Sequence, residues 1–369
     1  MNDLSKLSDA ELKNEARRLS FDISKYNNYQ TTKKVQLNSA YGAMGNQYFR
    51  FYDVRLAEAV TLSGQLVIQW LANDINAYLN TLLKTSKVDY IVASDTDSLY
   101  IRLDGLVNAA YGGKLPEDRS KVVDLLDKVA EDKLQKVIDK SCESLKTYLN
   151  AFSQKMVMKR ESIADKGIWT AKKNYILNVW DSEGVRYDKP KLKVMGISAI
   201  RSSTPEVCRN HIKKAIEIVM TQRQVDLHKY IAEFKKDFKN LPPEEVAFPR
   251  GLNTFDEKET FGSKTTMSIH ARGALLYNEL IKKNKLNKKY PCIQEGDKVK
   301  FIYLKQPNVV HSHVITMAEE GLPKELNLHK YVDYDVQFEK SFLDPLKIIL
   351  NSIKWTTKKV STLEDIFGD

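Results

Sequence analysis

The sequence predicts an α+β fold. Three observations carry the prediction. Residues 54–83 and 120–152 place apolar side chains at helical spacing. Residues 88–103 are two short β-rich runs around an acidic turn, and residues 154–187 return to strand-like sequence with basic and aromatic residues interleaved. A chain of 369 residues is long enough to form two or three cores.

The N-terminal elements are helical. Residues 4–20 have helix spacing, with Ser8 as N-cap and Glu11 three residues on. A second helix is expected over 22–41, ended by Gly42 as C-cap. Within it, Lys34, Asn38 and Tyr41 fall at i, i+4 and i+7 and share one face. That face either meets a triphosphate and then a sugar or base, or is a solvated surface. Residues 42–46 break the pattern, and 54–83 then read as one long core helix.

Residues 88–103, VDYIVASDTDSLYIRL, read as an antiparallel hairpin with Ser94-Asp95-Thr96-Asp97 at its apex. Two carboxylates this close repel, and a divalent cation removes that penalty. Hard oxygen ligands suit magnesium. An exposed acidic turn is the alternative, since Asp is a common turn residue.

Gly112, Gly113 and Pro116 mark a loop before the helix expected over 120–152. Residues 156–163 read as one strand, ending near Glu161, and 168–177 as another. Alternation along the second puts Lys173 and Tyr175 on one face and Lys172 and Asn174 on the other. Basic side chains beside aromatics suit a nucleic-acid backbone, or they are the lysines that protect an edge strand. Thr204 followed by Pro205 reads as N-cap and first helical residue, with the helix running to about residue 221. Arg201, Ser202, Ser203 and Thr204 either hold a phosphate at that helix start or merely cap it. Further helices are expected over 225–240 and 268–283, the second carrying Arg272, with a Pro- and Gly-rich loop between them. Residues 282–289 hold five lysines and read as solvated surface. Residues 299–304 alternate as a strand. His311 and His313 lack a third ligand nearby, and no metal is assigned to them. At the C-terminal end a polar tether leads to Leu363, Ile366 and Phe367, one apolar helical turn that needs either a partner groove or its own domain to pack on.

The bulk numbers narrow the class. The net charge is +10, which suits a polyanionic partner. Cys142, Cys208 and Cys292 are far apart, so neither a disulfide framework nor a zinc site is expected, and a reducing compartment is. The N-terminal stretch lacks the apolar core of a signal peptide. The most apolar run, 60–72, is too short to span a bilayer, so no membrane partner is expected.

Taken in order, KxxxNSxYG at 34–42, DTDS at 95–98, WTxKKxY at 169–175, SSTP at 202–205 and the apolar tail resemble a B-family DNA polymerase, most of all the replicative polymerases of T-even-type tailed phages. The resemblance covers nearly the whole chain. It implies a partial helical fingers region at 1–46, and a palm at 47–195 whose antiparallel sheet packs on long helices. It also implies a mainly helical thumb at 196–355 and a clamp-binding tail at 356–369. Asp97 would bind both magnesium ions, with Asp95 and Glu161 as further palm carboxylates near the metals. Lys34 and Asn38 would meet the incoming triphosphate, and Tyr41 the minor groove of the nascent pair. Lys172, Lys173 and Tyr175 would grip the primer end. Arg201, Ser202, Ser203, Thr204 and Arg272 would hold duplex phosphates. Leu363, Ile366 and Phe367 would dock on the sliding clamp.

Departures accompany the resemblance. Ala93-Ser94 stands where the family commonly has Tyr-Gly before DTDS, and Asn174 replaces a third basic residue. The family's other metal-binding Asp lies in a DxxSLYPS motif, which is absent here; Asp53, Asp74 and Asp104 lack that context. The paired-acid motifs of the exonuclease are also missing. The expectation is a C-terminal polymerase chain, from a split gene or an engineered fragment. It would share two magnesium ions with a separate N-terminal chain and act on primer-template DNA and dNTPs in the cytoplasm, that of the bacterial host if viral. The rival is a non-catalytic, polymerase-derived subunit that binds DNA and tethers it to the clamp; such a subunit has no use for Lys34, Asn38, Tyr41, Asp95 or Asp97.

Overall fold

In the computed structural model, residues 7–197, 201–253, 267–319 and 321–358 are described. The clamp-binding residues expected at Leu363, Ile366 and Phe367 lie outside them. The chain divides into two compact units, Met1–Arg160 and Glu161–Asp369.

The first unit starts at Ser8, whose backbone N–H and hydroxyl both donate to the Glu11 carboxylate at 2.9 and 2.7 Å. From there α1 (Asp9–Met44) runs unbroken for 36 residues. The two helices expected over 4–20 and 22–41 are therefore one. Ser20, Phe21 and Asp22 cost a helix little, and Arg18 spans the junction with ion pairs to Glu15 (2.5 Å) and Asp22 (3.2 Å). Gly42 does not end it either; the cap is Gly45. None of the described residues of α1 is buried. Asp53 then caps α2 (Val54–Leu82), accepting from the N–H of Arg55 at 3.0 Å.

The second half of α2 forms the core. Val67, Leu71, Ile75 and Leu79 pack with Tyr90, Leu134, Ile138, Cys142 and Leu145. The expected hairpin follows as β1 (Ile91–Asp95) and β2 (Ser98–Ile101), paired antiparallel. A short helix that the sequence did not announce, α3 (Asp104–Tyr111), precedes the loop expected at Gly112, Gly113 and Pro116; Gly112 closes it in the left-handed region at φ 58°. The helix expected over 120–152 is α4 (Arg119–Val129) and α5 (Gln135–Tyr148), joined by one wide π turn at Ala130–Leu134.

The second unit opens with a three-stranded antiparallel sheet, β3 (Ser162–Ala171), β4 (Asn174–Ser182) and β5 (Val185–Met195). Three expectations change here. Residues 156–160 are not a strand; the first strand starts at Ser162. Residues 168–177 are a hairpin, not one strand, because Ala171 pairs with Asn174 and Lys172-Lys173 form the loop. Strand alternation therefore does not assign faces to Lys172 and Lys173, whose φ of 64° at Lys173 is a turn conformation. Lys189-Pro190-Lys191 lies inside β5, where an edge strand tolerates proline at an irregular stretch of the ladder.

The remaining core is helical on a second small sheet. It comprises α6 (Glu206–Thr221), α7 (Gln224–Phe238), α8 (Pro243–Val246), β6 (Phe248–Gly251), α9 (Ile269–Lys283), β7 (Lys298–Tyr303), β8 (Val314–Met317), α10 (Tyr334–Phe338) and α11 (Asp344–Asn351). Helix α6 starts one residue later than expected: Pro205 takes the cap position with extended backbone, and Thr204 supplies no cap bond. Part of the expected loop after residue 241 is instead α8 and β6. Phe234, Phe238, Phe338 and Phe342 pack edge-on or tilted in the core, with ring centroids 4.9–5.7 Å apart. Buried Gln337 ties the layers together, donating to Val246 O at 2.5 Å and accepting from the N–H of Tyr303 at 3.3 Å. Gly273 lets α9 press onto β8, since a Cβ there would collide with Thr316.

Candidate active site

In the first unit the acidic apex is a two-residue loop. Asp95 pairs with Ser98, so Thr96 and Asp97 make the turn, with Thr96 at φ 48°. The N–H of Asp97 donates to Asp95 O at 2.5 Å and the Thr96 hydroxyl to the Asp95 carboxylate at 3.0 Å. Asp97 is exposed and Asp95 half-buried. A cleft of about 110 Å³ adjoins the turn, lined by Asp97 and Thr96, by Gly64, Val67, Ile68 and Leu71 of α2, by Cys142 of α5 and by Met156, Val157 and Met158. The apex thus presents one carboxylate to solvent beside an apolar helix face.

The base of the hairpin is held by two amides of α2 that sequence reasoning missed. Asn80 pairs with Val88 as a neighbouring strand would: its Nδ2 donates to Val88 O at 2.8 Å and its Oδ1 accepts from Val88 N at 3.0 Å. Asn76 accepts from the N–H of Tyr90 at 2.8 Å and donates to the Asp89 carboxylate at 2.8 Å. That bond, followed by one from the N–H of Ile91, holds Asp89 below the usual carboxylate range. Two asparagines four residues apart, Asn76 and Asn80, on either side of the buried Leu79 and next to Ile75, were the available signal.

Lys34, Asn38 and Tyr41 are all exposed on α1, at the helical spacing that gives them a common face. Among the described residues, no group of three or more His, Cys, Asp or Glu side chains is gathered to hold a metal ion. Asp95 and Asp97 fit magnesium in kind, as hard oxygen donors, and fall short of its ligand set in number.

The other candidate residues lie in the second unit. Glu161 is ion-paired to Lys193 at 2.6 Å. Lys172 and Lys173 form the exposed tip of the β3–β4 hairpin. Tyr175 is 8% exposed and packs beside Trp169, so its ring is part of the support under that tip. Gly196, at φ 70°, touches the tip from β5's end, and a Cβ there would collide with Lys173 O and the Asn174 amide. Arg201, Ser202 and Ser203 are exposed in a turn closed by Thr204 N–H to Arg201 O at 3.0 Å, while Thr204 itself is buried. Arg250, unremarked in the sequence, holds this turn by donating to Ser203 O at 2.6 Å. Arg272 is exposed on α9. No described helix is long and apolar enough to cross a membrane.

Comparison with known proteins adds a family. Residues 9–114 match the model of DNA polymerase family B. The chain is 35% identical over 351 residues to the DNA-directed DNA polymerase of Escherichia phage RB69, covering 92% of this chain and 38% of that protein. It is 30% identical over 382 residues to the DNA-directed DNA polymerase of Enterobacteria phage T4, covering 100% of this chain and 42% of that one. DNA polymerase 1 of Aeropyrum pernix is 26% identical over 232 residues, 62% of this chain and 18% of its own. This chain therefore spans about two fifths of the length of its phage relatives, and it carries a family B DNA polymerase domain related to the polymerases of phages RB69 and T4.

Proposed function

We propose that this chain is the C-terminal part of a DNA-directed DNA polymerase. It would catalyse magnesium-dependent nucleotidyl transfer from a dNTP to a primer 3′-hydroxyl, together with a second polypeptide bearing the exonuclease and the DxxSLYPS acid. The observation that carries this reading is the Asp95–Asp97 apex, one carboxylate at the strand end and one on the exposed turn, in a chain similar to phage DNA polymerases over nearly all of its length.

In this reading residues 1–46 are fingers, 47–195 palm and 196–355 thumb. Asp97 and Asp95 supply oxygen donors, and Glu161 is a further palm carboxylate. Magnesium, when bound, activates the primer hydroxyl and stabilises the leaving pyrophosphate. Lys34 neutralises charge on the triphosphate, the electrostatic contribution that dominates phosphoryl transfer. Asn38 and Tyr41 orient the nucleotide from the same helix face. Lys172 and Lys173 hold the primer strand from an exposed tip supported by Tyr175. Arg201, Ser202, Ser203 and Arg272 hold duplex phosphates, and Thr204 fixes the turn that presents them. The tail residues Leu363, Ile366 and Phe367 dock on a sliding clamp, in a bacterial host's cytoplasm.

Primer extension tests the reading. The chain alone is expected to extend primers hardly at all, and addition of the complementary polypeptide to restore extension. Asp97→Ala should abolish extension by the assembled enzyme while duplex affinity stays within about twofold, since an acid facing solvent contributes nothing to phosphate contacts. Full-rate extension by the isolated chain overturns the two-chain form, and an active Asp97→Ala enzyme removes Asp97 from the site.

A further inference from the structure

Helix α2 meets the acidic hairpin at both of its ends, and the residues that do so form one series. Gly64, Ile68, Ala72, Asn76 and Asn80 stand four apart, the spacing of a single surface ridge on an α-helix. At the apex end, a Cβ on Gly64 would lie 4.0 Å from Thr96 O, in ordinary van der Waals contact, so the turn stands directly against this position of the helix. At the base end, Asn76 and Asn80 fasten the backbone of residues 88–90 by hydrogen bonds of 2.8–3.0 Å. The lengths agree. The twelve residues from Gly64 to Asn76 span roughly 18 Å of helix, and the six from Tyr90 to Thr96 roughly 20 Å of strand. The irregular register between Ile91 and Ala93 takes up the small excess.

We propose that Asn76 and Asn80 are positioning residues that set how far along α2 the Asp95–Asp97 apex stands, and thereby the activity of that apex; this rests on the polymerase reading. Among the described residues the hairpin is a two-stranded sheet, and such a sheet in isolation is marginal in water. Asn80 gives Val88 both of the bonds a third strand would give. Its amide is itself fixed, because Nδ2 also donates to Asn76 O at 2.8 Å and Oδ1 also accepts from the Thr85 hydroxyl at 2.9 Å. Tyr90 completes the clamp: its ring is buried in the core of the unit, its hydroxyl lies 2.7 Å from that of Thr85, and its carbonyl accepts from Arg102 N at 2.8 Å on the other strand. Removing either amide frees the base to slide or twist, and the stiff hairpin carries that movement to the carboxylates.

The test compares Asn80→Ala, Asn76→Asp and the pair Asn76→Asp with Asp89→Asn, each as the full chain. The pair exchanges donor and acceptor, so that the carboxylate introduced on α2 would accept from both Tyr90 N and the amide introduced on the hairpin. Hydrogen exchange over residues 88–98 should quicken in both single variants and return in the pair. In the enzyme assembled with the complementary polypeptide, at a temperature where circular dichroism shows each variant folded, Asn80→Ala should lower kcat about tenfold or more. It should also raise the magnesium concentration for half-maximal rate, with KM for the dNTP within about twofold. The pair should recover the magnesium response that Asn76→Asp loses; if Asn80→Ala melts below the assay temperature, the pair decides. Wild-type kcat and magnesium response in Asn80→Ala, or no recovery in the pair, overturn the proposal, and an inactive Asp97→Ala beside them leaves the polymerase reading standing. An assembled wild-type enzyme that extends no primer ends the polymerase reading and this proposal with it.

Discussion

Gly196→Ala is the substitution whose cost the structure fixes most closely. Gly196 stands at φ 70°, and its Cα faces the carbonyl of Lys173 and the Asn174 amide at the basic hairpin tip. Forcing an L-residue into the left-handed region costs about 1–2 kcal/mol. A methyl group colliding with backbone rather than a flexible side chain adds an overpacking cost of about 1–3 kcal/mol. Stiffening the unfolded chain returns about 0.4–1 kcal/mol. The net expectation is a loss of about 1–5 kcal/mol. Trp169 on β3 and Trp180 on β4 report on this sheet, so urea unfolding followed by tryptophan fluorescence measures it directly. Because the methyl displaces the Lys172-Lys173 turn, affinity for a primer-template duplex should fall as well. A change in unfolding free energy below about 0.5 kcal/mol would refute the reasoning, since the clash would then be relieved by movement that costs nothing.

Two further outcomes concern the second unit. Gln337→Ala should cost about 2–4 kcal/mol in the same unfolding assay, because it strands the carbonyl of Val246 and the N–H of Tyr303 away from water; a cost below about 1 kcal/mol would mean that water reaches both groups. Stability should also fall with acidity. His211 is held below the usual imidazole range by burial, with Asp237 pulling weakly upward, and His270 is held down by burial and then by Arg250. The unfolded chain therefore takes up these protons first. Their contribution is complete above a pH of about 6.5 and is lost as pH falls below it. Urea midpoints at pH 7.5 and 5.5 check this, and an equal or higher midpoint at 5.5 would contradict it.

What the sequence made legible was whatever depends on period and on punctuation. The hairpin around Asp95 and Asp97 could be read because two β-rich runs flank a four-residue polar turn, and the helices over 54–83, 225–240 and 268–283 because their apolar periods are long. Residues 168–177 misled because Lys172 and Lys173 are not turn formers by type. Lys173 has a positive φ, and the residue packed against its carbonyl is Gly196, more than twenty residues away, which no local pattern points to. The break expected in α1 failed for the opposite reason, since weak helix formers at residues 20–22 are outweighed by neighbours already in helix.

The site residues that went unread share a physical cause. Asn76, Asn80, Gly64 and Arg250 act on backbone atoms, and a bond to backbone leaves no mark on the sequence of the partner segment. Asn80 bonds Val88, but nothing about a valine says that its N–H and C=O are claimed. What such residues do leave is a pattern on their own element: a polar amide or a glycine at the four-residue spacing of one ridge, beside core positions such as Ile75 and Leu79. On α2 the pattern is ordered, with the small residue at the end nearest the acids and the amides twelve and sixteen residues further on. That order follows from what each end must do. The apex turn stands close against the helix while Asp97 stays open to solvent, and there it meets the smallest residue of the series. The base needs its unpaired strand edge satisfied, so it meets two groups able to donate and accept at once.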